Sequence, residues 1–292
     1  MESSLVAIGF SELDEEYTVE DLLAQVLKES EQQQFVELDS QHILGEYSHK
    51  VSENTYINAR VGLDKDKKDA KIEVYDCEAY VVAEEVLDVC DVEVECIDNM
   101  GAHYVICEEK ITSMQMIFWL QNAVDYLKGK AQNKQCTQVN IAAIANEGTI
   151  ILPIEQNDEE EQIEKEEREK IREMIQKMKE GNEEAKQLLE EEEKELDEQL
   201  KERLYEEDFL TIMSRYFIPV TLQDAVYAVL GEIVSIKERI NSKTEEGIYV
   251  FTLNVNDVLL EVVINKKQLV GMPSVGMRFM GTCWLQGTVI MN

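Results

Sequence analysis

Several groups of residues have types and spacings that could do chemistry. Asp64-Lys65-Asp66-Lys67-Lys68-Asp69 begins like a calcium loop. It then sets Lys68 at the fifth ligand position, Asp69 where the tight turn needs glycine, and Tyr75 where a bidentate glutamate belongs. A solvated charged turn is the better reading. Glu46-Tyr47-Ser48-His49 matches Glu-x-x-His, which on a helix aims both side chains at one metal. The segment reads instead as strand and turn, and only one copy is present. Cys90, Cys96, His103 and Cys107 could face one another as zinc ligands across a hairpin. Zinc sites favour closely spaced cysteines on turns, whereas these fall on strand-like runs, so buried thiols are expected. No phosphate-binding glycine loop, dinucleotide fingerprint or nucleophile elbow occurs. The expectation is no metal, no cofactor and no catalytic residue.

One stretch remains, the acid-free "GMRFMGTCWLQGTVIM" at 276–291. Strand alternation puts Met277, Phe279, Gly281, Cys283, Leu285, Gly287 and Val289 on one face, apolar or small throughout. The opposite face carries Arg278, Met280, Thr282, Trp284, Gln286, Thr288 and Ile290. Arg278, Met280 and Trp284 are therefore the candidate binding residues, on the outer face of a small barrel with Lys266 and Lys267 as nearby bases. An outward tryptophan must be covered, by another part of the chain or by a ligand that stacks on it.

The elements that must position these residues fall into three parts, 1–154, 155–212 and 213–292. The first reads as an α+β unit. Thr18-Val19-Glu20-Asp21 resembles a capping box that opens a helix through Leu22, Leu23, Val26 and Leu27. Strand-like runs follow at 56–61, 72–82, 89–97 and 103–107, with a turn at 98–101. Helical spacing of Ile117, Leu120, Val124 and Leu127 predicts a helix over 111–130 that carries Trp119 in its packing. Two strands, 137–145 and 149–154, should flank a turn at 146–148. The second part has apolar stripes at Ile171, Met174, Ile175 and Met178 and again at Leu188, Leu189, Leu196, Leu200 and Leu204, broken at Gly181-Asn182. These predict an acidic helical hairpin, with a dimeric coiled coil as the rival. The third part offers five short strands with internal glycines, the pattern of a small β-barrel, oligonucleotide/oligosaccharide-binding-like or SH3-like.

Charge follows the same division. Of a formal net charge of −33, the first part carries −19 (30 acids, 11 bases), the second −14 (24 and 10) and the third none (7 and 7). Such a field repels phosphate backbones and disfavours duplex nucleic acid. No run approaches the ~18 apolar residues of a membrane span. The start of the chain lacks a basic leader, and six scattered cysteines suit reduced cytoplasmic thiols.

"LVAIGF", "FWLQNAVDYLK", "EGTIILPI", "EGNEEAKQLL", "YAVLGEI" and "GMRFMGTCWLQGTV" together resemble an uncharacterised family of clostridial proteins catalogued as a domain of unknown function. The resemblance spans nearly the whole chain. It implies a bacterial cytosolic protein and supplies no activity, cofactor or catalytic residue. The expected role is non-catalytic binding or scaffolding, with a protein partner or self-association. A small-ligand or oligonucleotide binder acting through the barrel, and an enzyme of unrecognised chemistry, stay open as alternatives.

Overall fold

The computed structural model describes residues 2–11, 18–65, 72–98, 100–154, 158–189, 191, 194, 209–221 and 224–292. It is a mixed α+β chain built on two sheets. Of the calcium-like stretch, Asp64, Lys65 and residues 72–75, Tyr75 among them, are described; residues 66–71 lie outside the described residues. Among the described residues no helix is long and apolar enough to cross a membrane.

The first sheet is an antiparallel meander in chain order: β1 (Gln32–Glu37), β2 (His42–Ser52), β3 (Thr55–Asp64) and β4 (Glu73–Val81). Alternation gives it two buried faces of opposite character. Ile57, Ala59, Val61, Ala79 and Val81 join a core with Leu5 and Ile8, from α1 (Glu2–Ala7) and the turn after it, and Leu22 and Val26 of α2 (Val19–Glu29). The capping box at Thr18 and Asp21 starts α2 as expected. Glu46, Ser48, Asn58 and Arg60 make up a polar face that is also buried.

The second sheet rests on two long strands, β8 (Cys136–Ile151) and β14 (Arg278–Met291). They pair antiparallel from Cys136 opposite Met291 to Ile151 opposite Arg278. The sheet's other strands are β5 (Leu87–Cys96), β6 (His103–Glu109), β7 (Gln115–Leu120), β9 (Tyr216–Pro219), β10 (Val226–Ile240), β11 (Gly247–Val255), β12 (Val258–Asn265) and β13 (Leu269–Val270). One circuit of pairings runs β8–β12–β11–β10–β14, and a second runs β8–β5–β6–β7–β14. Both circuits share the β8–β14 ladder.

Three expectations change. The 111–130 segment is strand β7 followed by α3 (Ala123–Ala131), so Trp119 sits on a strand. In β7 Met116, Phe118 and Leu120 are buried in alternation, and the strand pairs with β6. The apparent helical stripe ran across a strand–helix junction. The expected turn at 146–148 is absent, because β8 continues through it. Gly148 lies opposite Gly281, and a Cβ at either would strike the Phe279 ring, at 2.3 Å from Gly148 and 2.9 Å from Gly281. The two glycines make room for a ring rather than turn the chain. The two last strand candidates likewise form one strand, with a bulge between Gly281 and Cys283.

The alternation read for the closing stretch holds. Phe279, Cys283, Leu285 and Val289 enter the main core. On the face expected to point outward Thr282 is exposed and Trp284 half-buried between both cores, but Arg278 and Gln286 are buried, because other parts of the chain cover them. Between β8 and β9 the chain forms α4 (Asp158–Lys179), turns at Gly181 (φ +87°), and is helical again over 183–189. Most of the second predicted arm lies outside the described residues.

Candidate functional site

The polar face of the first sheet turns toward β6, β7 and α3, and amides hold the junction. Asn58 donates through Nδ2 to Gln121 Oε1 at 2.9 Å and accepts from Ser48 Oγ at 2.9 Å. Gln121 Nε2 donates to the Ala79 carbonyl at 3.2 Å. Gln286 donates through Nε2 to the Val81 carbonyl at 2.8 Å and accepts from the Val81 N–H at 3.4 Å. Two glutamine side chains thus stand in for a neighbouring strand along the outer edge of β4. Arg60 donates to Asp76 at 2.7 Å and to the Gly101 carbonyl at 2.7 Å, and its guanidinium lies 4.8 Å from the Trp119 ring centroid.

A cavity of about 310 Å³ opens at this junction. Its walls come from both sheets: Glu78 of β4, Tyr104 of β6, Trp119 of β7, Asn146 of β8, and Thr282 and Trp284 of β14. The rings form a chain. Tyr104 meets Trp119 edge-on at 5.3 Å between centroids, and Trp119 meets Trp284 at 6.4 Å, tilted by 49°. Such rings offer large apolar area and a negative π face.

Glu78 supplies the carboxyl in this wall. It faces Asn58 across the β3–β4 ladder. Its Oε2 is buried and has no hydrogen-bond partner, unlike the amides around it. Burial, reinforced by repulsion from Asp76, pushes its carboxyl up to about 7, against attraction from Arg60. A buried acceptor without a donor is costly to leave unmet.

Two further cavities flank the first. One, about 500 Å³, is lined by Glu46, Tyr80, Gln121, Asp125 and Lys128. There Glu46 accepts from the Val124 N–H at 3.2 Å, at the start of α3, and burial pushes its carboxyl up to about 8. The other, about 560 Å³, is lined by Thr149, Tyr216, Lys267, Met280 and Thr282.

The three residues singled out from the sequence occupy different places. Trp284 lines the aromatic cavity. Met280 lines the third cavity, which shares Thr282 with the first. Arg278 is buried, donating through Nε to the Leu152 carbonyl at 2.8 Å and through Nη1 to that of Met213 at 2.8 Å. It bridges the two roots of the 155–212 segment. Glu78, Tyr104 and Trp119 were not singled out. An acid alternating with Cys77 and Ala79 reads as the solvent face of a strand, and nothing local shows that a second sheet covers it.

The other early constellations are dispersed. Glu46 faces α3, while His49, on the opposite side of β2, lies 3.2 Å from the Glu29 carbonyl. Cys96 stands opposite His103, and Cys90 stands opposite Glu108 farther along the ladder. Cys90, Asp91 and Glu108 bring ligand atoms within 4.8 Å of one another. Lys179 of α4 already bonds Glu108 there.

A family model described as "Domain of unknown function, E. rectale Gene description (DUF3881)" matches residues 5–287. No curated protein and no solved structure matches the chain.

Proposed function

We propose, for a chain that belongs to this family of unknown function, a non-catalytic role: binding a small molecule in the cavity between Trp119, Trp284, Tyr104 and Glu78. The observation that carries the reading is the convergence of three rings and the Glu78 side chain on one void, from strands of both sheets. Its volume lies near the lower end of the ~300–1,000 Å³ of ligand clefts, which suits a small metabolite. Of the residues first singled out, Trp284 serves the site directly, Met280 borders it through Thr282, and Arg278 holds the strand's other end.

The finer architecture is part of the same proposal. The barrel expected within 213–292 is read as the circuit β8–β12–β11–β10–β14, OB-like or SH3-like, in which β8, from outside that range, takes the place of a fifth strand; the acidic 155–212 segment is read as a helical hairpin. A cytoplasmic location accords with the thiols of Cys77, Cys107 and Cys283, which burial pushes up to about 12 and away from reactivity. A protein contact is the second reading. The exposed apolar side chains Val270, Met272 and Val275, at and after β13, favour it.

The chain's two tryptophans both line the cavity, so intrinsic emission reports an occupant directly. Gently purified protein should show an added small mass by native mass spectrometry, or a saturable emission change with members of a metabolite library. Bare chain mass together with emission that answers no compound would refute the site.

A further inference from the structure

We infer that the ligand of the aromatic cavity carries a primary ammonium or a guanidinium, with an N–H donated to the Glu78 carboxyl and its charge against the rings of Trp119, Trp284 and Tyr104. This rests on the small-molecule reading above and names the class of molecule.

Glu78 lines the cavity, and its carboxyl, once ionised, can only accept, so a ligand that meets it brings a donor. The rings around it attract positive charge on their faces. One wall residue already shows this, since the Arg60 guanidinium lies 4.8 Å from the Trp119 centroid, while Arg60 itself does not line the cavity. Arg60 is engaged with Asp76 and the Gly101 carbonyl, so its charge is matched before a ligand arrives. When ionised, Glu78 adds a negative charge to the cavity wall, repelled by Asp76 and attracted by Arg60 and the amino terminus. An anionic ligand would meet that charge and the field of a −33 chain; a cation is favoured by both. A quaternary ammonium would satisfy the rings but offer the Glu78 carboxylate no N–H. A neutral sugar would stack but gain nothing from the carboxylate charge.

The test uses the full chain in 0.15 M salt, with cadaverine, agmatine and the neutral isostere pentane-1,5-diol as probes. Binding is followed by calorimetry and tryptophan emission. Cadaverine or agmatine should bind at least tenfold more tightly than the diol. Glu78→Gln should abolish that preference, whereas Glu95→Gln, an exposed acid on β5, should keep it and so control for attraction to the acidic surface. Unchanged melting of Glu78→Gln shows that the fold survives. Equal binding of diol and amine, or a preference that survives Glu78→Gln, overturns the ligand class while the cavity reading stands. Emission that responds to no amine but to another compound does the same. Emission that responds to nothing removes both.

Discussion

Glu46 offers the sharpest test of how the two sheets are joined. Its carboxyl is buried against the first turn of α3, where one oxygen accepts from the Val124 N–H. Burial dominates its titration. The Val124 and Ala123 N–H groups and Arg60 oppose that rise, while Asp125 adds to it. The outcome is a carboxyl that ionises at about 8 in the folded chain, against an ordinary 4.5. Between these values the folded state holds a proton that the unfolded state has released, so stability must fall as pH rises from 4.5 through about 8. At ~1.4 kcal/mol per pH unit, the full span costs at most about 5 kcal/mol, of which about 3 is incurred by pH 7. Glu46→Gln keeps a carbonyl acceptor for Val124 and cannot ionise. Urea unfolding at pH 5 to 9 should show the wild type losing several kcal/mol over that range. The variant should be the more stable of the two at pH 9 and have a clearly shallower slope. Parallel slopes would refute the reasoning, because Glu46 would then be ionised within the fold, with α3 and Arg60 outweighing desolvation.

Other outcomes follow from single contacts. Gly287→Ala would set a Cβ 2.2 Å from the Asn140 carbonyl oxygen, backbone against backbone; a loss of about 3 kcal/mol or more in unfolding free energy is expected. Arg278→Met keeps the packing and removes two charged hydrogen bonds; it should cost about 2–4 kcal/mol and speed limited proteolysis within 155–212, and unchanged cleavage there would show that the bridge is idle. In Trp119→Phe, emission from Trp284 should be blue-shifted and poorly quenched by acrylamide, as expected for a ring packed between both cores; red, readily quenched emission would place it in solvent.

What the sequence revealed depended on whether a feature is set locally. The capping box at Thr18, the break at Gly181 and the two faces of β14 are short-range patterns, and each could be read from neighbouring residues. Strand β7 could not, because Ile117, Leu120 and Val124 keep helical spacing across the point where the strand ends and α3 begins. Gly148 imitated a turn because its reason for being glycine, the Phe279 ring, lies 131 residues away in the chain. The candidate site failed in the same way. Trp284 could be inferred from alternation, but the company it keeps is set by ladders such as Gln286 beside Trp119 and Trp284 beside Ile144. Glu78 looked like one more surface acid among 61 acidic residues, and only the covering sheet makes it unusual.

The β8–β14 ladder also has a consequence for how the protein is made. Its register joins Cys136 to Met291 and Ile151 to Arg278, so each pairing spans more than a hundred residues of chain. Long-range pairing of this kind is slow, because the loop must close before its contacts repay the entropy. On the ribosome, β8 is synthesised well before its partner and must wait with one edge uncovered until β14 emerges. Neither circuit can close before then, since both use β14 as a wall. During that interval the long apolar edge of β8 is open to pairing with other nascent chains. A truncation that removes β14 should therefore yield aggregate rather than a smaller folded protein, and refolding should proceed in one late step governed by the arrival of that strand.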